Sequence, residues 1–447
     1  MLQKNPAHYH ALEESLAAFN KPTAYDEIFL HVFAPVIVSF VEWVLDEAVK
    51  SGKRRLYFLA RDGWLMYQVA QILGEGKKIP ELRYLKISRY SLRMAEYRLL
   101  GEKCLDTICV GGIDISFRKL MMRASFTEQE IIETARITGY ETKVDTPLNY
   151  VQIQELKEKL KNKKKFFEYV NHHSKKCYDD TIGYLRQEGL FDNVSMAVVD
   201  SGWIGTIQQS LEHLIHVAGN STAVDKRKET ANKKLEGYYF GIYEIPKGCD
   251  AERYHGYYIH PKKDILRKTR FSICLFETLF SSPEGMTMGY ERTERSKMGE
   301  VDYIPLESIR QNPNEKIMYR NKELLCSYLK YYVQVSGKAK ANLQIIERLL
   351  KLSMGNPTRS EAEFMGALQF CDDVLELQMQ SVAAKWDEDE LKKQKFVNKI
   401  LIKLNIRKGT LHESGWPEGS IVNAGHRRAI RQEHFYKYFM YIRKDFK

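Results

Sequence analysis

Arg61-Asp62-Gly63 and Asp200-Ser201-Gly202-Trp203-Ile204-Gly205-Thr206 are the residues of this chain best suited to chemistry. Each closes an apolar run, Leu56 to Ala60 and Ala197 to Val199, and each leads into an amphipathic helical pattern. A buried strand, a charged turn with glycine and a helix start together present charge and backbone N–H groups at the C-terminal edge of a parallel sheet. Two such turns can grip both ends of one polyanionic ligand. Arg61 sets a fixed cation beside the Asp62 carboxylate, and Gly63 permits close backbone approach. Asp62 is equally suited to capping the next helix. In the second turn the Ser201 and Thr206 hydroxyls, with Gly202, Trp203 and Gly205 between them, form a candidate cradle for a monophosphate. The Walker A spacing with its lysine is absent, and so is a Gly-x-Gly-x-x-Gly fingerprint.

A second strand end, Lys86-Ile87-Ser88-Arg89, adds two cations. Period-two alternation puts Lys86 and Ser88 on one face and Arg89 on the other, unless the strand ends first. With Arg61 they suit a diphosphate, which arginine grips bidentately and lysine as a point charge. Around Pro283, Glu277 and Glu284 are candidates for a general base or for hydrogen bonds to sugar hydroxyls. His213 with His216, and His172 with His173, lack a metal-binding or catalytic spacing and read as surface or packing residues. No Gly-x-Ser-x-Gly elbow occurs, and no cysteine has a local catalytic signature.

The elements that must position these residues follow from periodicity. Val36 to Lys50 reads as a helix, Arg54 to Ala60 as a buried strand, Trp64 to Leu73 as a helix and Leu82 to Ile87 as a strand, the building block of a parallel sheet. Residues 92–193 read as a helical insertion, with a capping box at Thr127-Glu128-Gln129-Glu130. Val194 to Val199 restores the sheet, Ile204 to Val217 is a helix, Asn220 to Lys234 an exposed loop and Leu235 to Tyr243 a strand. From about Val301 the chain reads as mostly helical, ending in the basic aromatic tail Arg431 to Lys447. The fold class is therefore α/β with a mainly parallel sheet. Residues 1–300 are expected as the ligand-binding α/β domain and 301–447 as a helical region suited to an acceptor.

A formal charge of +11 points to anionic partners: phosphorylated substrates, nucleic acid or an anionic membrane face. The densest basic run, Lys157 to Lys165, reads as a solvated helix face. Seven scattered cysteines without a C-x-x-C pair argue for a reducing compartment and against a cysteine zinc site. The opening residues lack a signal-peptide pattern, which places the chain in the cytoplasm. The apolar stretch Ile28 to Leu45 carries His31, Pro35 and Glu42 and reads as a core helix rather than a membrane span.

Taken in order, Phe58-Leu59-Ala60-Arg61-Asp62-Gly63, Ser88-Arg89, Asp200-Ser201-Gly202-Trp203-Ile204-Gly205-Thr206 and Phe276-Glu277 resemble the phosphoribosyltransferase half of bacterial ribofuranosyltransferases of surface-polysaccharide synthesis. The resemblance spans roughly residues 25–290. It implies a divergent phosphoribosyltransferase-like site, 5-phosphoribosyl-1-diphosphate as donor, Mg²⁺ as cofactor and a hydroxyl of a lipid-linked glycan as acceptor. It implies that Arg61, Lys86 and Arg89 hold the diphosphate, with Gly63, Ser88 and Glu284 beside them. Asp200 then holds ribose hydroxyls or the metal, the 201–206 loop holds the 5-phosphate, and Asp62 or Glu277 serves as base. Two departures stand out: a serine follows Asp200 where a second acidic residue is usual, and no Asp-x-Asp-x-Thr phosphatase strand precedes the domain. A separate phosphatase is therefore an expected partner. Nucleic acid is not expected, and the tail suits peripheral contact with the inner membrane face.

Two other readings stay open at this stage. A nucleotide-sugar glycosyltransferase requires a base pocket beside the first turn. A non-catalytic basic scaffold requires salt-dependent binding through Lys157 to Lys165.

Overall fold

The computed structural model describes residues 2–112, 115–221, 234–294, 301–309, 312–335, 342–371, 379–403 and 406–445. Its centre is a parallel sheet of strands β1 (Arg55–Leu59), β2 (Glu81–Leu85), β3 (Met196–Trp203), β4 (Glu236–Ile242) and β5 (Tyr254–Ile259), in the order β2-β1-β3-β4-β5. β1 is buried along its whole length, as expected of a strand covered on both faces. Alternation splits its side chains between two cores. Leu56 and Phe58 join Ala197, Val199 and Phe240 on one face, under the helices Ala34–Lys50, Gly63–Gly74 and Glu315–Val335. Tyr57 and Leu59 join Val198, Tyr239 and Ile242 on the other, under Arg89–Leu100, Lys164–Gln187 and Thr206–Ser221.

Three-layer α/β architecture and the helical insertion are thus as the periodicity predicts. The insertion has a core of its own around Leu105, Phe117, Leu120, Leu156 and Phe166, and the Thr127–Glu130 capping box forms. The Ile28 to Leu45 stretch belongs to a helical rod, Ala24–Lys50, with a π-turn over Phe29–Phe33 just before Pro35, which lacks the N–H of a regular turn. By length and composition this rod could cross a membrane, and it is packed inside the core.

Several boundaries differ from those read in the sequence. β3 runs on through Ser201 and Gly202 to Trp203, because those residues continue to pair with β4 as far as Ile242. β2 ends at Leu85, so the alternation expected to sort Lys86, Ser88 and Arg89 does not operate there. The strand β5 went unrecognised. Most of the expected loop at 220–234 lies outside the described residues, and the helix before it runs to Ser221.

The expected division at residue 300 falls inside an antiparallel pair, β6 (Thr287–Glu294) with β7 (Val301–Glu307). This hairpin lies on the insertion, with Tyr290 stacked on Tyr184 at 4.3 Å. The Tyr303 ring sits over Gly183, where a Cβ would stand 2.1 Å from it.

Candidate active site

The sheet order reverses between β1 and β3: the chain leaves β1 toward β2 on one side and returns to β3 on the other. At such a switch point the flanking connections diverge and open a crevice outside the carboxyl ends of the strands. A cleft of about 170 Å³ lies there, lined by Arg61, Asp62, Ser88, Arg89, Asp200 and Glu277, among others. Residues spread over positions 61–200 thus converge because three neighbouring strands of one sheet end at the same place, and Glu277 joins them from the helix Ile273–Phe280.

Hydrogen bonds fix the carboxylates. The Ser201 hydroxyl donates to Asp62, and the Trp203 indole N–H donates to Glu277 at 2.9 Å. Burial, then the neighbouring charge of Asp62, pushes Asp200 well above the ordinary carboxylate range, against the opposing pull of the Ser201 backbone N–H and Arg89. Glu277 is pushed up to about 7, again by burial and then by Asp62, with Arg89, the Trp203 bond and Arg61 opposing. Three carboxylates in one poorly hydrated crevice cannot all ionise cheaply, so the cluster retains protons near neutrality. Arg89 is exposed at the cleft, and its side chain forms no hydrogen bond or ion pair with any described residue.

Both strand-end turns contain a cis peptide bond, Ala60–Arg61 and Gly202–Trp203. At Gly202 the backbone has φ +146°, and a Cβ would stand 2.1 Å from the Gly241 carbonyl oxygen on β4. Only glycine lets β3 approach β4 so closely beside Asp200.

Other residues singled out in the sequence lie differently. Lys86 is held by Glu307 at 2.7 Å and Glu284 at 3.4 Å. Its backbone is bracketed by the Tyr184 and Tyr290 hydroxyls. Among the described lining of the cleft neither Lys86 nor Glu284 appears, and the two neutralise each other instead of facing a diphosphate. Gly63 opens the next helix against Phe58. Ser201, Trp203, Gly205 and Thr206 are not in the described lining either, whereas Gly202 and Ile207 are. Half of the expected phosphate cradle, Ser201 to Trp203, is strand, with the Ser201 hydroxyl committed to Asp62. Ser88 lines the cleft, caps the Arg89–Leu100 helix and donates to the Thr287 carbonyl at 2.6 Å.

The far wall joins the Thr278 and Ser281 hydroxyls, which belong to the hydroxyl-bearing stretch around Pro283, to Thr287, Asn312, Asn314 and Gln369, which were missed in the sequence. Asn314 donates to the Gln369 carbonyl at 2.6 Å and accepts its N–H at 3.0 Å, which pins the short strand Gln369–Phe370 over the crevice. The Asn312-Pro313-Asn314 turn was the available signal, and the Asn314 N–H indeed bonds the Asn312 side chain at 3.0 Å.

His213 bonds Glu96 at 2.7 Å and His173 bonds Glu130 at 2.8 Å, both away from the cleft. Among the described residues no group of three or more His, Cys, Asp or Glu stands ready-made around a metal position. Mg²⁺ fits the donor set in another way, since it is commonly held by one or two carboxylates and completed by ligand phosphates and water. No protein-family model matches the chain, and no curated protein is significantly similar to it.

Proposed function

We propose that the cleft binds 5-phosphoribosyl-1-diphosphate and transfers its 5-phosphoribosyl group to a hydroxyl of a surface glycan, lipid-linked in the reading above. The observation that carries the proposal is the convergence of Arg61 and Arg89 with Asp62, Asp200 and Glu277 at the switch point. Cations at the mouth suit the diphosphate, which arginine binds bidentately.

The acceptor oxygen forms a bond to the anomeric carbon as the bond from that carbon to the diphosphate breaks. Pyrophosphate departs with the bonding pair, and Arg61 and Arg89 stabilise its charge. The acceptor proton passes to Glu277, whose pKa of about 7 suits a base at neutral pH. Asp200 accepts a hydrogen bond from a ribose hydroxyl. Mg²⁺ would be held by Asp200 with Asp62 and would neutralise the diphosphate. Hydroxyls and amides on the far wall suit a hydroxylated acceptor. The 5-phosphate stays on the product, and the enzyme works in the cytoplasm.

The basic scaffold reading draws on the Lys157 to Lys165 run, four of whose lysines lie beside carboxylates. Lys157 pairs with Asp106, Lys161 with Glu158, Lys164 with Glu168 and Lys165 with Glu133.

The test is incubation with radiolabelled donor, Mg²⁺ and glycan acceptors, with Asp200→Asn and Arg61→Ala as controls. Pyrophosphate release that both variants abolish is the expected result. Donor at a hundredfold excess over its Kd should add about 2.7 kcal/mol of stability. No rise in thermal stability with saturating donor would sink the proposal.

A further inference from the structure

A second cavity, of about 700 Å³, lies in the C-terminal region and is lined by Arg270, Lys351, Arg427, Arg428 and Arg431, with His434 in its wall. These cations converge from three segments: the end of the short helix Ile265–Thr269, the helix Leu343–Ser353, and the turn that opens the helix Ile430–Asp445. No carboxylate is among the described residues lining it. Arg270, Lys351, Arg428 and Arg431 form no side-chain hydrogen bond or ion pair with any described residue. Among the described residues the Arg427 side chain reaches only the Asn356 carbonyl, at 3.4 Å.

Neighbouring cations behave otherwise. Lys399 is paired with Glu433 at 2.9 Å, Lys437 with Glu418 at 2.7 Å and Arg267 with Glu347 at 3.1 Å. His434 itself stands 3.3 Å from Glu418. Carboxylates are therefore at hand in this region but are turned to other partners, and the cavity keeps like charges together at a cost that an anion removes. A single phosphate monoester cannot balance five cations, whereas linked phosphoryl groups present several oxygens to arginine forks at once.

We propose that this cavity binds an anion carrying two or more phosphoryl groups. The inference does not rest on the donor reading. Arg270 and Cys274 lie on either side of Ser272 and line the second cavity and the cleft respectively. Ser272 is anchored to the Gly415 carbonyl at 2.8 Å, so a shared wall joins the two sites.

The test is calorimetric titration of inorganic pyrophosphate into the full chain, its Arg61→Ala variant and a variant with Arg428→Glu and Arg431→Glu together. Both reversed residues are exposed, and unchanged thermal unfolding shows that the double variant folds. Two classes of site are expected in the natural chain, one lost in each variant, with the C-terminal affinity falling roughly tenfold or more on charge reversal. Lys351→Glu, on a different helix, should reproduce that fall. Loss of all pyrophosphate binding in Arg61→Ala alone overturns the inference and leaves the donor reading standing. Binding lost only in the double variant supports the inference and counts against the donor reading.

Sedimentation with phosphatidylcholine vesicles containing cardiolipin, whose headgroup carries two phosphodiesters, separates the two sources of phosphate. Vesicle association that pyrophosphate displaces, and that the double variant loses, assigns the site to a lipid headgroup. Pyrophosphate binding without vesicle association assigns it to a soluble ligand. Vesicle association that pyrophosphate leaves untouched, with no second pyrophosphate site, overturns the cavity in favour of a membrane-facing helix.

Discussion

Glu277 is the residue on which the proposed chemistry turns. Its pKa of about 7 arises mainly from burial, so activity should rise with pH through about 7. Glu277→Gln should lower kcat by roughly 10²–10⁴-fold and flatten that limb, measured as pyrophosphate release across pH. Stability gives a second readout. A carboxyl raised in the fold above its exposed value of 4.5 contributes stability that is fully present below that value and is lost as pH rises through about 7. Glu277→Gln should therefore gain on the natural chain above neutral pH and lose that advantage in acid, as urea titrations at the two extremes will show. Arg89 behaves differently, being exposed and without a described partner. Arg89→Ala should weaken donor binding about tenfold while leaving the unfolding midpoint unchanged. Arg61, Asp62, Ser88, Arg89 and Asp200 were legible as neighbours in one cleft because polar groups at the ends of apolar runs have few other uses, and Glu277 because it stands with hydroxyls beside the turn at Pro283. Lys86 was misread because its neutralising partner Glu307 comes from a hairpin far along the chain.

At the scale of elements, the parallel sheet and its covering helices were legible from unbroken apolar runs and helical periodicity. Strand ends were not. Asp200-Ser201-Gly202 looks like a turn because polar residues seldom continue a buried strand. The strand continues because Ser201 is satisfied by Asp62 and Gly202 fits against Gly241. Gly202→Ala should accordingly destabilise the fold by roughly 1–3 kcal/mol or more, measured by urea unfolding, since its clash is with backbone that cannot rotate away. Tyr254-His255-Gly256-Tyr257-Tyr258-Ile259 escaped recognition as β5 because aromatic residues crowd both of its faces and hide the alternation. The far wall of the cleft was illegible for another reason: its polar groups recognise backbone, and nothing local shows which backbone they will meet.

At the scale of the molecule, composition suggested two regions, yet one core joins them. Tyr328, on the helix Glu315–Val335, bonds His8 at 2.8 Å, and Asn321 accepts from the Tyr25 hydroxyl at 2.7 Å. Arg320 holds Asp26 through two bonds, at 2.9 and 2.8 Å. A chain ending at residue 300 would expose the first helices and leave β6 without its partner. It should therefore lose near-ultraviolet circular dichroism and cooperative unfolding. The β6–β7 hairpin carries a different kind of consequence. One end bears Thr287 and Glu307, which tie down Ser88 and Lys86 beside the cleft. Toward the other end Tyr303 rests on Gly183, about 14 Å away along β7 at the usual rise per residue. The hairpin is thus a beam seated at both ends, and a methyl group added at Gly183 is a shim under the remote one. Anyone wishing to retune the cleft without touching its charges has a place to push.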